Sequence, residues 1–251
     1  MNRSFSTVVV LVSALSFLAV AACGSEDDET GVPDSGAGVE VDASGGSEPA
    51  VCQPATPTVP DGFGGDTTPS FALDVSITDG TAVEFIEHID ADNDESFDNW
   101  LGMNLPFAPA EALFQALEEH LGQALINRGE AHITVITPPE YVFTLRPYIT
   151  IGEIHDIARS MNIQSAEFAL VCLGRGQDTV ADQLEQTYYV VVESEELREI
   201  RREIFRRYTA NGGEPSKFDP DEFWPHITIG FPTTDIFTVR TGANSCWATL
   251  Q

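Results

Sequence analysis

The chain has 251 residues and a formal charge of −28, from 40 acidic and 12 basic residues. An acidic field of that size repels long nucleic acids, so a large polyanionic substrate is disfavoured. Only 10 of the acidic residues and one Arg precede Ser70, and residues 70–251 therefore still carry −19. That range is one domain's worth of chain and can bury a substantial core.

The amino-terminal segment has the pattern of a secretory leader. Arg3 precedes an apolar run from about Val8 to Ala22, which is too short for a comfortable membrane span. The run ends in "VAAC", which resembles the bacterial lipobox, where a signal peptidase cuts before the cysteine and lipid is then attached to it. We therefore predict a lipoprotein signal peptide over residues 1–22 and lipidation of Cys23. A plain signal peptide cut at a small-residue site is the alternative.

Residues 23–69 have the composition of a tether. The 46 residues after Cys23 contain 6 Pro, 9 Gly and few large apolar side chains. Such a segment cannot offset the entropy that it would lose on ordering. We expect a mobile, self-repelling spacer between the membrane and the folded part, residues 70–251. Acyl chains at Cys23 would hold the protein on a membrane without a transmembrane helix.

The first part of the folded region predicts a strand, a helix and a second strand. The first strand covers Phe71–Ile77, and an acidic irregular stretch follows to about Pro106. The helix runs from about Ala108 to Asn127, with leucines on one face and Gly129 helping to end it. The strand that carries His132 comes next.

Two helices and four strands are expected after residue 150. They are a helix near Ile151–Met161, strands at Glu167–Leu173 and Thr187–Val192, a helix from the N-cap Ser194 to Gly212-Gly213, a strand carrying His226 and a final strand that includes Cys246–Leu250. A strand, a helix and a histidine-bearing strand thus occur in the same order twice, over Phe71–Val135 and Thr187–Ile229. We interpret these segments as two copies of one unit.

The last strand of each unit carries the same pattern. "HITV" starts at His132 and "HITI" starts at His226, 94 positions later. Alternate side chains of a strand point to opposite faces, so each histidine lies beside a threonine, Thr134 or Thr228, and the aliphatic residues face the other way. One such strand would indicate no more than a satisfied histidine. Two of them, each after a strand and a helix, indicate one site built from both units.

These motifs resemble those of the 2H phosphoesterase superfamily, which includes the bacterial 2'-5' RNA ligase-like cyclic phosphodiesterases. Its members carry two His-x-Thr/Ser-x motifs, and "WPHITIGF" also has the proline that commonly precedes the second histidine. The resemblance covers about residues 70–250. It implies an α+β fold of two pseudo-symmetric lobes, each with an antiparallel sheet and packed helices around a central cleft. The long acidic insert and the acidic surface depart from the RNA-processing members.

The chemistry that the resemblance implies also follows from the residue types. Of two imidazoles near neutral pH, one can be neutral and the other protonated. The neutral imidazole takes a proton from the attacking water, and the imidazolium protonates the leaving ribose oxygen. Thr134 and Thr228 hold non-bridging phosphate oxygens. This mechanism needs no metal and no cofactor, and the sequence does not say which of His132 and His226 is the base.

Five further residues are candidates for substrate binding. The rings of Tyr141, Phe143 and Phe231 could stack on a base or ribose, and ordinary strand or rim packing is the alternative for each. Arg146 and Arg240 are candidate phosphate contacts, with a solvated arginine as the alternative.

Four arginines of the last long helix have glutamates at helical spacing. They are Arg201, Arg202, Arg206 and Arg207, and the glutamates are Glu199 and Glu203. Pairs at this spacing stabilise an exposed helix face, so we predict a charged, solvated face rather than a basic binding patch.

The sequence offers no convincing metal site. Asp90–Asp98 begins like a calcium loop but lacks the glycine at position 6 and the glutamate at position 12, so an EF-hand is disfavoured and incidental cation binding stays open. No third ligand accompanies the two motif histidines at usable spacing, so zinc is not expected. The remaining histidines, His88, His120 and His155, are interpreted as surface or packing residues.

Three cysteines remain if Cys23 is lipidated. They allow one disulfide and one free thiol at most. Cys172 lies within "FALVCLG" and is predicted to be a buried strand thiol. A disulfide between Cys52 and Cys246 is then the expected pairing in an oxidising compartment.

The sequence therefore favours a monomeric bacterial lipoprotein that hydrolyses or transfers at a cyclic or 2'-5' phosphodiester of a small nucleotide. Gly24 is not the aspartate that marks inner-membrane retention, so the outer membrane is the expected location in the cell envelope. The alternative is a non-catalytic envelope lipoprotein that keeps the fold and binds a nucleotide or another ligand. A purely structural envelope lipoprotein would leave the paired motifs unexplained.

Overall fold

The computed structural model describes residues 58–90, 97–180, 182–236 and 241–251. The predicted signal peptide, Cys23, Cys52, most of the tether, the middle of the acidic insert and Arg240 lie outside these ranges. The predictions made for them stay predictions. None of the helices within the described ranges is long and apolar enough to cross a membrane.

The described residues form seven strands and four α-helices. The strands are β1 (Ser70–Phe71), β2 (Leu101–Leu105), β3 (Ala131–Ile136), β4 (Ala169–Val180), β5 (Gln183–Glu193), β6 (His226–Gly230) and β7 (Cys246–Leu250). The helices are α1 (Phe107–Leu121), α2 (Pro138–Glu140), α3 (Ile151–Ser160) and α4 (Glu195–Ala210). The strands make one sheet in the order β1-β7-β4-β5-β6-β3-β2, with only the β1–β7 pair parallel. The fold is therefore mixed α+β, as predicted.

The main apolar core lies between the helices and one face of the sheet. Leu113 of α1 and Ile204 of α4 are fully buried in the same cluster as Ile133 of β3 and Ile227 of β6. Both helices are amphipathic, so burying their apolar stripes against the sheet stabilises helix and sheet together. The other face of the central strands is left for the remaining side chains of β3 and β6.

The helix that we expected over residues 108–127 is shorter. α1 ends at Leu121 because Gly122 adopts the left-handed conformation (φ 64°) and its N–H donates to the Glu118 carbonyl. Glycine adopts this conformation without a Cβ penalty, so it ends the helix two turns before Gly129. The predicted end at Asn127 is wrong, and residues 123–130 form a connection to β3 instead.

The expected strand over Phe71–Ile77 is also wrong beyond its first residue. Only Ser70–Phe71 pairs with β7, and Val75–Thr78 forms a 3₁₀ helix whose first turn is capped by the Asp74 carboxylate. The strand that precedes α1 is β2, which lies in the stretch that we expected to be irregular. All of β2 is buried, so its sequence, "LGMNL", lacks the alternation that marks a half-exposed strand.

The structure still contains two strand–helix–strand units, with β2 instead of the predicted strand as the first strand of the first unit. They are β2-α1-β3 and β5-α4-β6, and each pairs its two strands antiparallel. The sheet order β5-β6-β3-β2 brings the two histidine-bearing strands together in the middle of these four strands. The strands form one continuous sheet, and the division into two pseudo-symmetric lobes stays a prediction.

The predicted disulfide is wrong. Cys246 is bonded to Cys172, not to Cys52, and the bond joins β7 to β4. These strands are neighbours in the sheet, and the two Cα atoms are 5.7 Å apart, within the range that a disulfide requires. Cys172 is buried in a strand as expected, but it is oxidised. The pairing depends on strand order, which cysteine spacing does not reveal.

The face of α4 is only partly the solvated surface that the arginine pattern predicts. Arg202 and Arg206 pair with Glu199 and Glu203 as expected. Arg201, however, is buried, and its guanidinium donates to the Glu140 carboxylate and to backbone carbonyls. A buried arginine is stable only when its donors are satisfied in this way.

Candidate functional site

The four motif side chains share one face of the sheet. β3 and β6 are antiparallel neighbours, with Ile133 opposite Ile227. Continuing this register places His132 beside Thr228 and Thr134 beside His226. Both isoleucines are fully buried in the main core, and the histidines and threonines are partly exposed on the other face. The alternation that the motifs predict is therefore present in both strands.

The imidazole of His226 is held by a closed set of hydrogen bonds. Its Nδ1 lies 3.0 Å from the Trp224 carbonyl oxygen and 2.9 Å from the Thr241 hydroxyl. That hydroxyl also donates to the Trp224 carbonyl over 2.8 Å. A carbonyl oxygen only accepts, so Nδ1 carries the proton and Nε2 is left with the lone pair in the neutral ring.

A second small cluster supports His226 from β5. The Tyr189 ring meets the imidazole edge-on, with 5.4 Å between the ring centroids. Tyr189 packs with the Cys172–Cys246 disulfide and Val191. Gly174 of β4 leaves room for it, because a Cβ there would lie 2.5 Å from the Tyr189 ring. The disulfide therefore lies beneath the ring that contacts His226.

His132 has different surroundings. Its Nδ1 lies 3.4 Å from a carboxylate oxygen of Glu130, an ion-pair distance that is long for a hydrogen bond. The Trp100 ring lies against its other side, with 4.7 Å between centroids. Asn104 of β2 lies opposite His132 in the sheet and is buried. The site thus presents one imidazole bonded to neutral groups and one beside a carboxylate.

Trp100 is fixed by residues on both sides of its ring. His88 stacks on it at 3.5 Å between centroids, and a Cβ at Gly102 would lie 2.5 Å from the ring. The buried His155 binds the Trp100 carbonyl through Nε2 at 3.0 Å. His88 and His155 are therefore packing residues, and Trp100 is a rigid wall beside His132.

An arginine, Arg128, lies at the edge of the face of the sheet that carries the motif side chains. Arg128 donates to Asp235 over 2.6 Å, and the second oxygen of that carboxylate accepts from the Thr187 hydroxyl over 3.1 Å. Thr187 precedes Tyr189 by two positions on β5, so both side chains lie on the face of His226. The connection that carries Arg128 is held there by a bridge between Ile126 and Phe231.

The charges of these groups act on each other. Burial lowers the pKa of His226; the Trp224 carbonyl and Asp235 offset part of this effect, and His132 and Arg128 add to it. The contact with the His132 imidazole lowers the pKa of the Glu130 carboxyl, and Arg128 lowers it further. Arg128 therefore acts on His226 itself and on the carboxylate beside His132.

The other predicted binding residues are scattered. Tyr141 belongs to the main core, and its hydroxyl accepts a hydrogen bond from the Ile151 amide, so the structure does not bring it to the motif face. Phe143 is exposed and contacts Phe97 edge-on. Arg146 is exposed directly after the π-helical turn Tyr141–Leu145, and Phe231 directly follows β6.

A cavity of about 460 Å³ lies beside the start of β6, next to His226. Trp224, Pro225 and Thr241 line it, and none of the four motif residues does. Within the described ranges, no group of three or more His, Cys, Asp or Glu residues could hold a metal ion.

A comparison with known protein families identifies the family to which the chain belongs. The model of the 2H-SAK family, described as Swiss Army Knife, 2H phosphoesterase domain, matches residues 99–237. This range holds β2 through β6 and both motifs, and it is more than half of the chain. The chain belongs to this family of 2H phosphoesterase domains, which identifies it as a phosphoesterase, a class of hydrolase. No curated protein and no solved structure matches the chain.

Proposed function

We propose that this phosphoesterase hydrolyses a cyclic or 2'-5' phosphodiester of a small nucleotide without a metal ion, and that His132, Thr134, His226 and Thr228 carry the reaction. One observation supports this most: β3 and β6 are antiparallel neighbours with Ile133 opposite Ile227, a register in which each motif histidine would lie beside the threonine of the other motif. A phosphate bound on this face, over β3 and β6, would contact two imidazoles and two hydroxyls at once.

These four groups supply what the reaction requires. One imidazole takes the proton of the attacking water, and the other protonates the ribose oxygen that leaves phosphorus. The threonine hydroxyls donate to the non-bridging oxygens as charge shifts onto them. Because both proton transfers have a partner, the mechanism needs no metal to activate the water.

We also propose that the protein is a monomeric lipoprotein of the bacterial envelope, held to the outer membrane through Cys23. The disulfide between Cys172 and Cys246 supports an oxidising compartment, where such bonds persist. Cys23→Ser should abolish acyl labelling and release the protein from the membrane fraction. Unchanged membrane retention, together with no labelled lipid on the wild type, would contradict the anchor.

The function is tested with purified residues 58–251 and a panel of small esters. The panel contains 2',3'-cyclic nucleotides, 2'-5' dinucleotides and an ADP-ribose cyclic phosphate. We expect turnover that survives EDTA, and His132→Ala and His226→Ala should each lower kcat by roughly 10²- to 10⁴-fold. The double variant should be scarcely worse than either single one, because the two groups act in one step.

Circular dichroism of each variant serves as the control for folding. If both single variants keep near-normal rates on a substrate that the wild type turns over, the assignment of the pair is wrong. If the wild type binds the esters tightly and turns none of them over, the chain is instead the non-catalytic binding lipoprotein.

A further inference from the structure

The disulfide between Cys172 and Cys246 lies on the same face of the sheet as the motif residues. In the strand register, Cys172 lies opposite Val191, and Val191 lies opposite His226. Residues that lie opposite each other in neighbouring strands point to the same face. The disulfide joins β7 to β4, and the order β7-β4-β5-β6 therefore leaves one strand, β5, between the disulfide and the strand of His226.

The side chain of Tyr189 on β5 lies between the disulfide and His226. It is fully buried in one cluster with both cysteines, and its ring meets the imidazole edge-on with 5.4 Å between centroids. Gly174 lies opposite Tyr189 in β4, and a Cβ there would be 2.5 Å from the tyrosine ring. A ring packed this closely has little room to move. A displacement of the disulfide should therefore be passed on to the imidazole.

A second connection runs from Cys246 back along the chain to His226. Cys246 begins β7, and two hydrogen bonds from Ser245 to the Gly242 carbonyl hold the turn before it. Thr241 precedes this turn and places its hydroxyl 2.9 Å from Nδ1 of His226. The disulfide thus secures one end of the segment that carries Thr241.

The backbone pairing between β4 and β7 is irregular at the disulfide. Leu173 lies opposite Ala248 and Gly174 opposite Cys246, and the register shifts between these two pairs. The covalent bond at Cys246 holds the start of β7 in place where the pairing is irregular, because it fixes the distance between two neighbouring strands. Phe63 packs against the cluster and helps to bury the bond.

We propose that Tyr189 is a positioning residue for His226 and that the Cys172–Cys246 disulfide holds it in place, so that full hydrolytic activity requires the oxidised protein. This inference rests on the proposed function. It gives a role in the reaction to a ring and a covalent bond that do not belong to the two motifs. A misplacement of about 1 Å in a reacting group can cost roughly 10²-fold in rate, which sets the size of the effect.

The redox step is a thiol–disulfide exchange. A dithiol supplies two electrons and two protons; the S–S bond breaks, two cysteine thiols form, and the dithiol becomes a cyclic disulfide. Oxidised glutathione reverses the change, because its own S–S bond breaks, the two cysteines are joined again and two glutathione thiols are released. Cys172 is fully buried, so reduction requires the cluster to open locally and is expected to be slow.

Two tyrosine positions test the role of the ring in the full chain. Tyr189→Leu should lower kcat by roughly 10- to 100-fold with little change in KM, because the groups that contact the phosphate remain while the imidazole loses its neighbour. Tyr189→Phe keeps the ring and should keep the wild-type kcat. Tyr208→Leu is the matched control, since that ring is equally buried but lies in the main core. It should lower the free energy of unfolding and leave kcat unchanged. Equal kcat in Tyr189→Leu and Tyr208→Leu would overturn the inference.

The disulfide is tested by substitution and by reduction. The double variant Cys172→Ala/Cys246→Ala should lose kcat to a similar extent as Tyr189→Leu. Dithiothreitol should lower kcat of the wild type, and oxidised glutathione should restore it. The double variant should not respond to either reagent, and Cys52→Ser should respond as the wild type does. Circular dichroism confirms that each sample is folded at the assay temperature. A folded double variant with wild-type kcat would contradict the proposal.

The imidazole of His226 gives a readout that does not depend on turnover. In the oxidised protein, its ¹⁵N resonances should show the Nδ1–H tautomer that the Trp224 carbonyl stabilises. Tyr189→Leu and the disulfide-free protein should show a mixture of the two tautomers. Resonances of His226 that stay unchanged in both variants of an active enzyme would refute the positioning role. A wild-type protein that turns over none of the esters would instead refute the proposed function. If the disulfide-free protein does not fold, the two Tyr189 variants decide the inference.

Discussion

At the scale of single residues, the motif residues follow from the sequence and their partners do not. His132 and Thr134 share a face because alternation along a strand is a local rule. The residues that distinguish the two histidines obey no such rule. Thr241 reaches His226 from 15 positions away, and Asp235 holds Arg128 across 107 positions. Glu130 lies two positions before His132, and a carboxylate at that spacing is a signal that could have been used.

Arg128 is expected to bind the substrate phosphate. It is a cation at the edge of the motif face, fixed by Asp235, and 39% of its side chain is exposed. Arg128→Ala should lower kcat/KM by roughly 10- to 100-fold, since a hydrogen bond to a charged group is lost. Arg128 also lowers the pKa of His226, whereas Asp235 raises it. Removing Arg128 should therefore raise the pKa of His226 and move the low-pH limb of the rate profile to higher pH.

Arg207→Ala is the matched control, because it removes the same charge from the exposed surface of α4. It should leave kcat/KM and the low-pH limb unchanged. Equal losses in the two variants would mean that net charge, and not contact with substrate, explains the effect of Arg128.

At the scale of elements, sequence patterns predict elements with a strong period and miss those that are wholly buried. α3, α4 and the motif strands are close to their predicted bounds, and Ser194 caps α4 as expected. β2 was missed because a strand buried on both faces has no alternation to detect. Because β2 was missed, the prediction gave the first unit the wrong strand, Phe71–Ile77. The order of strand, helix and strand was nevertheless right.

Arg201 connects α4 to the strands of the site. It donates to the Val135 carbonyl of β3, to Glu140 of α2 and to the Pro220 carbonyl in the connection before β6. Arg201→Met should therefore lower the free energy of unfolding by about 3 kcal/mol, because the buried carbonyls and the partly exposed Glu140 carboxylate lose their donor. Chemical denaturation measures this change.

Arg206→Met on the same helix is the control. Arg206 is exposed and paired only at the surface with Glu203, so its loss should cost about 1 kcal/mol or less. A difference between the two variants below about 1 kcal/mol would show that Arg201 contributes no more than a surface ion pair.

At the scale of the whole molecule, strand order decides features that no local pattern contains. The sheet brings β4 beside β7, which makes the disulfide, and β3 beside β6, which makes the site. Both are long-range pairings, and interpreting Cys172 as a buried strand thiol led to the wrong partner for Cys246. The duplicated motif was the one long-range relation that the sequence displayed, because two copies of a pattern can be recognised without knowing how they pair.

The net charge of the folded part predicts how the enzyme selects substrate length. Residues 70–251 carry −19, so a polyanion approaches through a repelling field that extends about 10 Å at 0.1 M salt. A cyclic mononucleotide brings a single charge, which the two His-Thr pairs can neutralise locally. Most exposed arginines of α4 are already paired with acidic residues and offer no basic track for a longer strand.

We therefore expect kcat/KM at low salt to be higher for a cyclic mononucleotide than for an oligonucleotide of about 20 residues that ends in a 2',3'-cyclic phosphate. Raising salt from about 50 to 200 mM should speed the reaction of the oligonucleotide, because screening weakens repulsion, whereas enzymes with basic grooves lose affinity over the same range. Measuring both substrates at both salt concentrations decides between these behaviours. An oligonucleotide that is preferred at low salt and loses its advantage at high salt would require a basic surface that outweighs the acidic field, and Arg128 would be the first residue to test for it.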